Sequence, residues 1–215
     1  MNFKEQALSL YKMVFCEDSE DFAKTFTDKY FDKFCRFIEK DGKIVSMLYL
    51  LDCKVFDGEA TYSAFYLYAA ATHPDYRNKG LMSKLISSVL KEDKVIVTKP
   101  ANDELFSFYE KFGFTICSFK DEIKKEFPKT EELNVKQYIE LRKQLLTNIP
   151  HIILSDEEFA LDGLTLFGNG AYVAAVDEDG MVKEYINQKV SKAQKPFAMW
   201  NKKADNSLYF GLAMD

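Results

Sequence analysis

The sequence predicts an α/β protein: a mixed, mostly antiparallel sheet flanked by helices, followed by a smaller α+β unit. Three observations predict it. Two amphipathic helical segments open the chain, strand-like runs broken at Asp-Gly turns follow them, and a strand, loop, helix, strand passage then changes the hydrophobic period.

Residues 4 to 15 place Ala7, Leu8, Leu10, Tyr11, Val14 and Phe15 on one helical stripe, and 20 to 31 do the same with Phe22, Phe26, Tyr30 and Phe31. In "CRFIEKDGKIVSMLYLLDCKVFDGEATYSAFYLYAAATHP", runs rich in Val, Ile, Tyr and Phe are broken at Asp41-Gly42 and Asp57-Gly58, so an antiparallel meander of three strands is expected. After Pro74, Leu81, Leu85, Ile86, Val89 and Leu90 share a helical face, and "KVIVTK" reads as a buried strand, which completes a βαβ unit. "NDELFSFYEKFGF" gives a helix from an Asn102 cap to Gly113, and "FTICSFKDEI" a strand after it. From about 127 the pattern restarts. Pro128-Lys129-Thr130 reads as a junction, dividing the chain into units at 1–127 and 128–215. Helices are expected at 134–147 and 155–162, then a strand pair in "AYVAAVDEDGMVKEYI" turned at Asp179-Gly180, then strands in "FAMW" and "SLYFGLAMD". The order helix, helix, Asp-Gly hairpin echoes residues 4 to 50 and suggests a second, partial copy of the first unit.

With 215 residues, 47% hydrophobic and 15% aromatic, the chain can bury a substantial core. It has no run of about eighteen apolar residues, and "MNFKEQALSLYKMVF" carries Lys4 and Glu5 within an amphipathic pattern unlike a signal peptide, so a soluble cytoplasmic protein without a membrane partner is expected. A net charge of -5 argues against general nucleic-acid binding but leaves room for a local basic pocket. Cys16, Cys35, Cys53 and Cys117 show no C-x-x-C spacing and read as reduced thiols. His73 and His151 have no carboxylate motif around them, so no metal is expected.

The loop "YRNKGLM" joins a strand to a helix N-terminus, where N–H groups from about Asn78 to Ser83 lack intrahelical acceptors and the helix dipole is positive. Gly80 permits close approach of a phosphate, and Arg77 and Lys79 add charge. The alternative is an ordinary solvated connection. Here Arg77-Asn78-Lys79-Gly80-Leu81-Met82 resembles the R/Q-x-x-G-x-G/A signature of the GNAT superfamily of acyl-CoA-dependent N-acyltransferases, with Met82 in place of the second small residue. "NDELFSFYEKFGF" is similar to that superfamily's N-x-x-x-x-x-x-Y-x-x-x-G-F helix, through Asn102, Tyr109, Gly113 and Phe114. The resemblance covers residues 1 to about 125, and the remainder resembles only a degenerate, truncated GNAT repeat.

The resemblance implies a GNAT fold, acetyl-CoA as donor, a primary amine as acceptor and direct transfer. It implies that the backbone of Tyr68, Ala69, Ala70 and Ala71 pairs with pantetheine as an added strand, and that Arg77, Asn78, Lys79, Gly80, Leu81, Met82 and Ser83 hold the pyrophosphate, with Asn102 also on the cofactor side. Tyr109 would protonate the departing thiolate; its other reading is a core tyrosine. Tyr62, Tyr66 and Tyr68 share a strand face and either line an acceptor cleft or pack a helix. "YSAFYLYAAA" offers no carboxylate as general base, which leaves Glu59 before it and Asp52 on the preceding strand. In the similar enhanced-intracellular-survival type acetyltransferases the C-terminal carboxylate serves, which here is that of Asp215. No cysteine shows the His partner a covalent intermediate would want. Phe197, Trp200, Tyr209 and Phe210 would have to pack on the first unit or across a homodimer. The rival reading is a non-catalytic acyl-CoA-binding or protein-interaction module.

Overall fold

The computed structural model describes residues 1–120, 131–187, 195–202 and 207–211. Helix α1 (Phe3–Val14) starts in a capping box, with Asn2 accepting from the Glu5 N–H and the Glu5 carboxylate accepting from the Asn2 N–H. Ser19 caps α2 (Glu20–Phe34), which runs directly into β1 (Cys35–Lys40). Asp41 and Gly42 both have positive φ, as a two-residue hairpin turn needs, and they return the chain into β2 (Lys43–Phe56). β2 pairs along its length with β3 (Thr61–Thr72), completing the expected meander. The chain then passes through α3 (Leu81–Val89) to β4 (Val95–Thr98), which lies parallel to β3. Helix α4 (Asp103–Glu110) and β5 (Thr115–Lys120) follow.

Apolar layers cover both faces of this sheet. On one face α1 and α2 set Tyr11 and Phe26 against Tyr49, Tyr66 and Tyr68. On the other, Leu85, Ile86 and Val89 of α3 and Tyr109 of α4 pack on Leu48, Leu50 and Leu67.

The C-terminal part differs from its expected form. After β6 (Glu131–Glu132) and α5 (Val135–Leu146) come β7 (His151–Leu154), α6 (Glu157–Ala160), β8 (Thr165–Gly168), β9 (Tyr172–Val176), β10 (Val182–Asn187) and β11 (Lys195–Trp200). Strands β10, β9, β8 and β6 make a second, antiparallel sheet, with the β9–β10 turn at Asp179-Gly180 as expected. The other two strands join the first sheet: β7 pairs with β2, and β11 lies between β4 and β5 in the order β1-β2-β3-β4-β11-β5. In sequence, therefore, residues 131–187 are threaded between two neighbouring strands of one sheet. The junction at 128–130 lies outside the described residues. β7 and β8 have no counterpart in the sequence pattern, because four-residue strands are too short to display a period and their partners are remote. The helix expected over 155–162 contracts to the four residues of α6.

A buried ionic network ties this part together. The Glu184 carboxylate on β10 accepts from Arg142 Nε (3.0 Å), Tyr138 Oη (2.8 Å) and Tyr209 Oη (3.0 Å), while Arg142 Nη1 donates to Glu157 (2.7 Å). Each buried charge has its counter-charge, without which burial would be costly.

Candidate active site

The sheet opens where β3 and β4 part. Their parallel pairing runs only from Ala64–Val95 to Leu67–Thr98, whereas β3 continues to Thr72 held by β2 alone. At the opening β3 bulges: the step from Tyr49 to Met47 on β2 is matched by Tyr68 to Ala71 on β3, and Ala69 takes φ +47°. A non-glycine residue in this region is strained by about 1 kcal/mol, and the bulge turns Ala69 and Ala71 to one face and Ala70 to the other. The backbone from Tyr68 to Ala71 thus has a free edge facing the gap, as an added strand requires.

At the same end of the sheet, His73 caps a short 3-10 turn (Pro74–Tyr76) and the loop enters α3. Asn78 and Gly80 have φ +60° and +71°. Gly80 is the N-cap of α3 and supplies no side-chain cap, so the N–H groups of Leu81, Met82 and Ser83 are left for an external acceptor. A Cβ at Gly80 would meet nothing within 4 Å, so the space beside it is open for an anion. Arg77 Nε donates to the Thr72 carbonyl (3.3 Å) and Lys79 Nζ to that of Asp75 (2.7 Å), so both cations brace the loop at its rim. Met82 is partly buried and packs against the apolar cluster on the α3 face of the sheet.

Tyr109 projects from α4 and is only 4% exposed. Burial pushes its phenol up to about 12, opposed by a hydrogen bond with Thr98, the last residue of β4 and the last to pair with β3. The phenol stays protonated at neutral pH, as a proton donor must. The bulge adjoins the end of β4, where Thr98 meets Tyr109, and the loop follows from the far end of β3 into α3.

A family model described as an acetyltransferase (GNAT) domain matches residues 2–117. The chain belongs to the GNAT acetyltransferases. Solved structures share the fold of this GNAT chain. A GCN5-related N-acetyltransferase from Kribbella flavida matches with TM-score 0.63 at 13% identity, over 92% of this chain and 69% of that one. One from Anabaena variabilis ATCC 29413 matches with TM-score 0.63 at 17% identity, over 86% and 56% respectively. Eis1 from Mycobacterium abscessus matches at TM-score 0.50 and 7% identity, over 73% of this chain and 50% of that one. No curated protein matches.

Glu59 sits in the exposed β2–β3 turn, nine residues before Tyr68 and so about 30 Å along the strand from the opening. Nothing brings it to Tyr109. Asp52, opposite Phe65, is paired with Lys33 at 3.1 Å. Asp215 lies outside the described residues. Asn102 spends its side chain capping α4, accepting from the Leu105 N–H. Tyr66 is buried against Phe210, which favours packing for it, while Tyr68 is half-buried beside the bulge. His151 is buried with Nδ1 2.7 Å from the Ile149 carbonyl oxygen. Among the described residues no group of three or more His, Cys, Asp or Glu is placed to hold a metal, and no helix is long and apolar enough to cross a membrane.

Two features of the site escape the sequence pattern. Asp18, in the α1–α2 loop, accepts from Tyr11 Oη at 2.5 Å, and Tyr11 Oη lies 3.4 Å from Tyr68 Oη. A carboxylate is thus linked to the residue preceding the bulge through two hydroxyls. Lys99 follows Thr98 directly, on the opposite face of the strand from Tyr109. Asp18 stands among surface acids and Lys99 beside a proline, so neither carries a local signal.

Proposed function

We propose that this GNAT domain transfers acetyl from acetyl-CoA directly to a primary amine. The observation that carries the proposal is the meeting, at one end of β4, of a free strand edge, an open helix N-terminus with Gly80, and a protonated buried phenol. Pantetheine amides would pair with the edge from Tyr68 to Ala71, and the pyrophosphate would take the N–H groups at Leu81, Met82 and Ser83. The amine approaches from the α1–α2 face, where Tyr68, Tyr11 and Asp18 offer its ammonium a route for the proton it must lose. The neutral nitrogen attacks the thioester carbon, the C–S bond breaks as the amide forms, and Tyr109 gives the leaving thiolate its proton from the opposite face. From ammonium to amide the nitrogen loses two protons, one along the Tyr68–Tyr11–Asp18 route before attack and one as the amide forms, and the second balances the proton that Tyr109 delivers to the thiolate.

Thiol release from acetyl-CoA across a panel of primary amines tests this. Amine-dependent release with an N-acetylated product is expected. CoA binding without any release would favour the non-catalytic acyl-CoA-binding module instead.

A further inference from the structure

We propose that Phe210, held against Tyr66 by a buried carboxylate network, walls off the acyl end of the donor site, so that the chain accepts acyl groups of acetyl or propionyl size and rejects longer ones. The inference rests on the acyl-transfer reading and adds the class of donor. The phosphate loop lies beyond the C-terminal end of β3, so a pantetheine paired with the edge from Ala71 to Tyr68 runs back along that strand. Its thioester comes to the Tyr68 end, where β3 and β4 close. Side-chain size changes along this path: Ala71, Ala70 and Ala69 mark its start, and Tyr68 and Tyr66 its finish.

Each direction that a longer acyl chain could take ends on a filled position. Straight ahead, Leu67 and Thr98 are the last residues to pair, and Thr98 Oγ1 donates to the Leu67 carbonyl at 3.2 Å, which closes the gap between the strands. On the α3 side, Tyr109 packs against Phe108 and Phe114, with both centroid distances 5.4 Å. On the α1–α2 side, Tyr66, Val97 and Trp200 stand side by side across β3, β4 and β11, and all three are buried. Phe210 meets Tyr66 edge to face (5.1 Å, 89°) and Phe197 at 6.3 Å, so the wall next to the opening is aromatic. A butyryl or longer tail would have to displace one of these close-packed rings.

Residues outside the family match hold Phe210 in place. The segment from Leu208 to Phe210 is strapped between two strands of the first sheet. The Leu208 N–H donates to the Cys117 carbonyl of β5 (2.6 Å), the Tyr209 N–H to that of Pro150 (2.8 Å), and the Ile152 N–H of β7 to that of Tyr209 (3.0 Å). Tyr209 Oη donates to Glu184 on β10, whose carboxylate also receives Arg142 and Tyr138. A Cβ on Gly211 would collide with Glu184 and with the Tyr209 ring, so only glycine fits beside this pair. Tyr209 is thus a positioning residue: anchored in the second sheet, it fixes the neighbouring Phe210 ring against Tyr66. The second sheet gains a functional reason to pack here, since it sets a wall of the acyl site, whereas the family match ends at residue 117.

A ladder of donors tests the wall. Thiol release with the fastest amine of the panel is measured for acetyl-, propionyl-, butyryl- and hexanoyl-CoA, and kcat/KM is expected to fall about tenfold or more from propionyl to hexanoyl. Phe210→Ala should narrow that fall by about tenfold or more, and the milder Phe210→Leu should narrow it in part, with thermal melts showing which of them fold. Tyr209→Phe keeps its ring but loses Glu184, and it should also narrow the fall, an effect that a purely structural anchor would not have. Equal use of acetyl- and hexanoyl-CoA by the wild type would overturn the proposal, as would an unchanged length profile in a folded Phe210 variant. Calorimetric titration of the full chain with the same donors, without amine, needs no turnover. Hexanoyl-CoA is expected to bind about tenfold or more weakly than acetyl-CoA, and equal or tighter binding overturns the wall even if acyl transfer stands. The expected binding ladder without thiol release from any donor would keep the wall and remove the acyl-transfer reading.

Discussion

Ending the chain at residue 127 removes the strand that completes the first sheet, and the resulting fragment should not fold. β11 is the only partner of β5 among the described residues, and Ala198, Met199 and Trp200 are fully buried within it. Truncating a buried Met costs ~2–5 kcal/mol and a buried Trp ~3–5 kcal/mol. Together these approach the ~5–15 kcal/mol that holds a typical domain. Also lost are the Asn201 bonds to the Ile96 N–H (2.8 Å) and the Lys94 carbonyl (2.9 Å), which fasten the end of β11 to β4. A second design isolates the cause. Lys120 and Lys195 are directly opposite in the β5–β11 ladder, so residues 121–194 can be excised and the two joined through Asn-Gly. This chain keeps the six-strand order but loses β7 from β2 and the Phe159 contacts to Phe22 and Tyr30. It should fold with a lower melting temperature and retain CoA binding. Far-UV circular dichroism melts and calorimetric CoA titration are the assays. A 1–127 fragment that melts cooperatively near the full-length temperature and binds CoA equally well would refute the reasoning.

Tyr109→Phe keeps the ring and deletes the hydroxyl, so turnover should fall about 10²-fold or more with CoA affinity little changed; full turnover on a genuine acceptor would reassign Tyr109 to packing. Gly80→Val should cost about 1–2 kcal/mol through its positive φ and abolish CoA binding, because the space it fills is open in the chain and needed only by the ligand; unchanged affinity by calorimetry would misplace the pyrophosphate. Lys99→Met should raise stability at neutral pH by roughly 1–3 kcal/mol. Lys99 holds its proton less tightly when folded, so the unfolded chain binds more protons between about pH 8 and the ordinary lysine range and wild-type stability rises with pH there. The gap between variant and wild type in denaturant melts should therefore narrow from about pH 7 to about pH 10, and a constant gap would contradict it.

Local chemistry is where the sequence was most legible. The Asp41-Gly42 and Asp179-Gly180 turns, the Asn102 cap, the amphipathic stripes of α1 and α2, and the strand-to-helix position of Gly80 all depend on residues within a few positions of one another. From those alone the α/β class and the GNAT resemblance followed, together with the candidate roles of Gly80 and Tyr109. Where the chain pairs with a distant partner, the pattern was silent. "FAMW" reads as a strand, but nothing in its composition says that its neighbours are β4 and β5, since any apolar strand satisfies backbone hydrogen bonds equally and burial of Trp200 selects the slot. Likewise Tyr68-Ala69-Ala70-Ala71 reads as regular strand, and the bulge arises only from the register of β3 against β2. Lys99 and Lys120 are the extreme case: each is ordinary by itself, and only strand order brings both ammonium groups over the Phe197 ring. The sequence by itself determined the first helices, the Asp-Gly turns and the loop conformation at Gly80, because those are set by short-range sterics and capping. The tertiary structure alone decided the completed sheet and the opening at Ala69, because they depend on pairings between residues far apart in the chain.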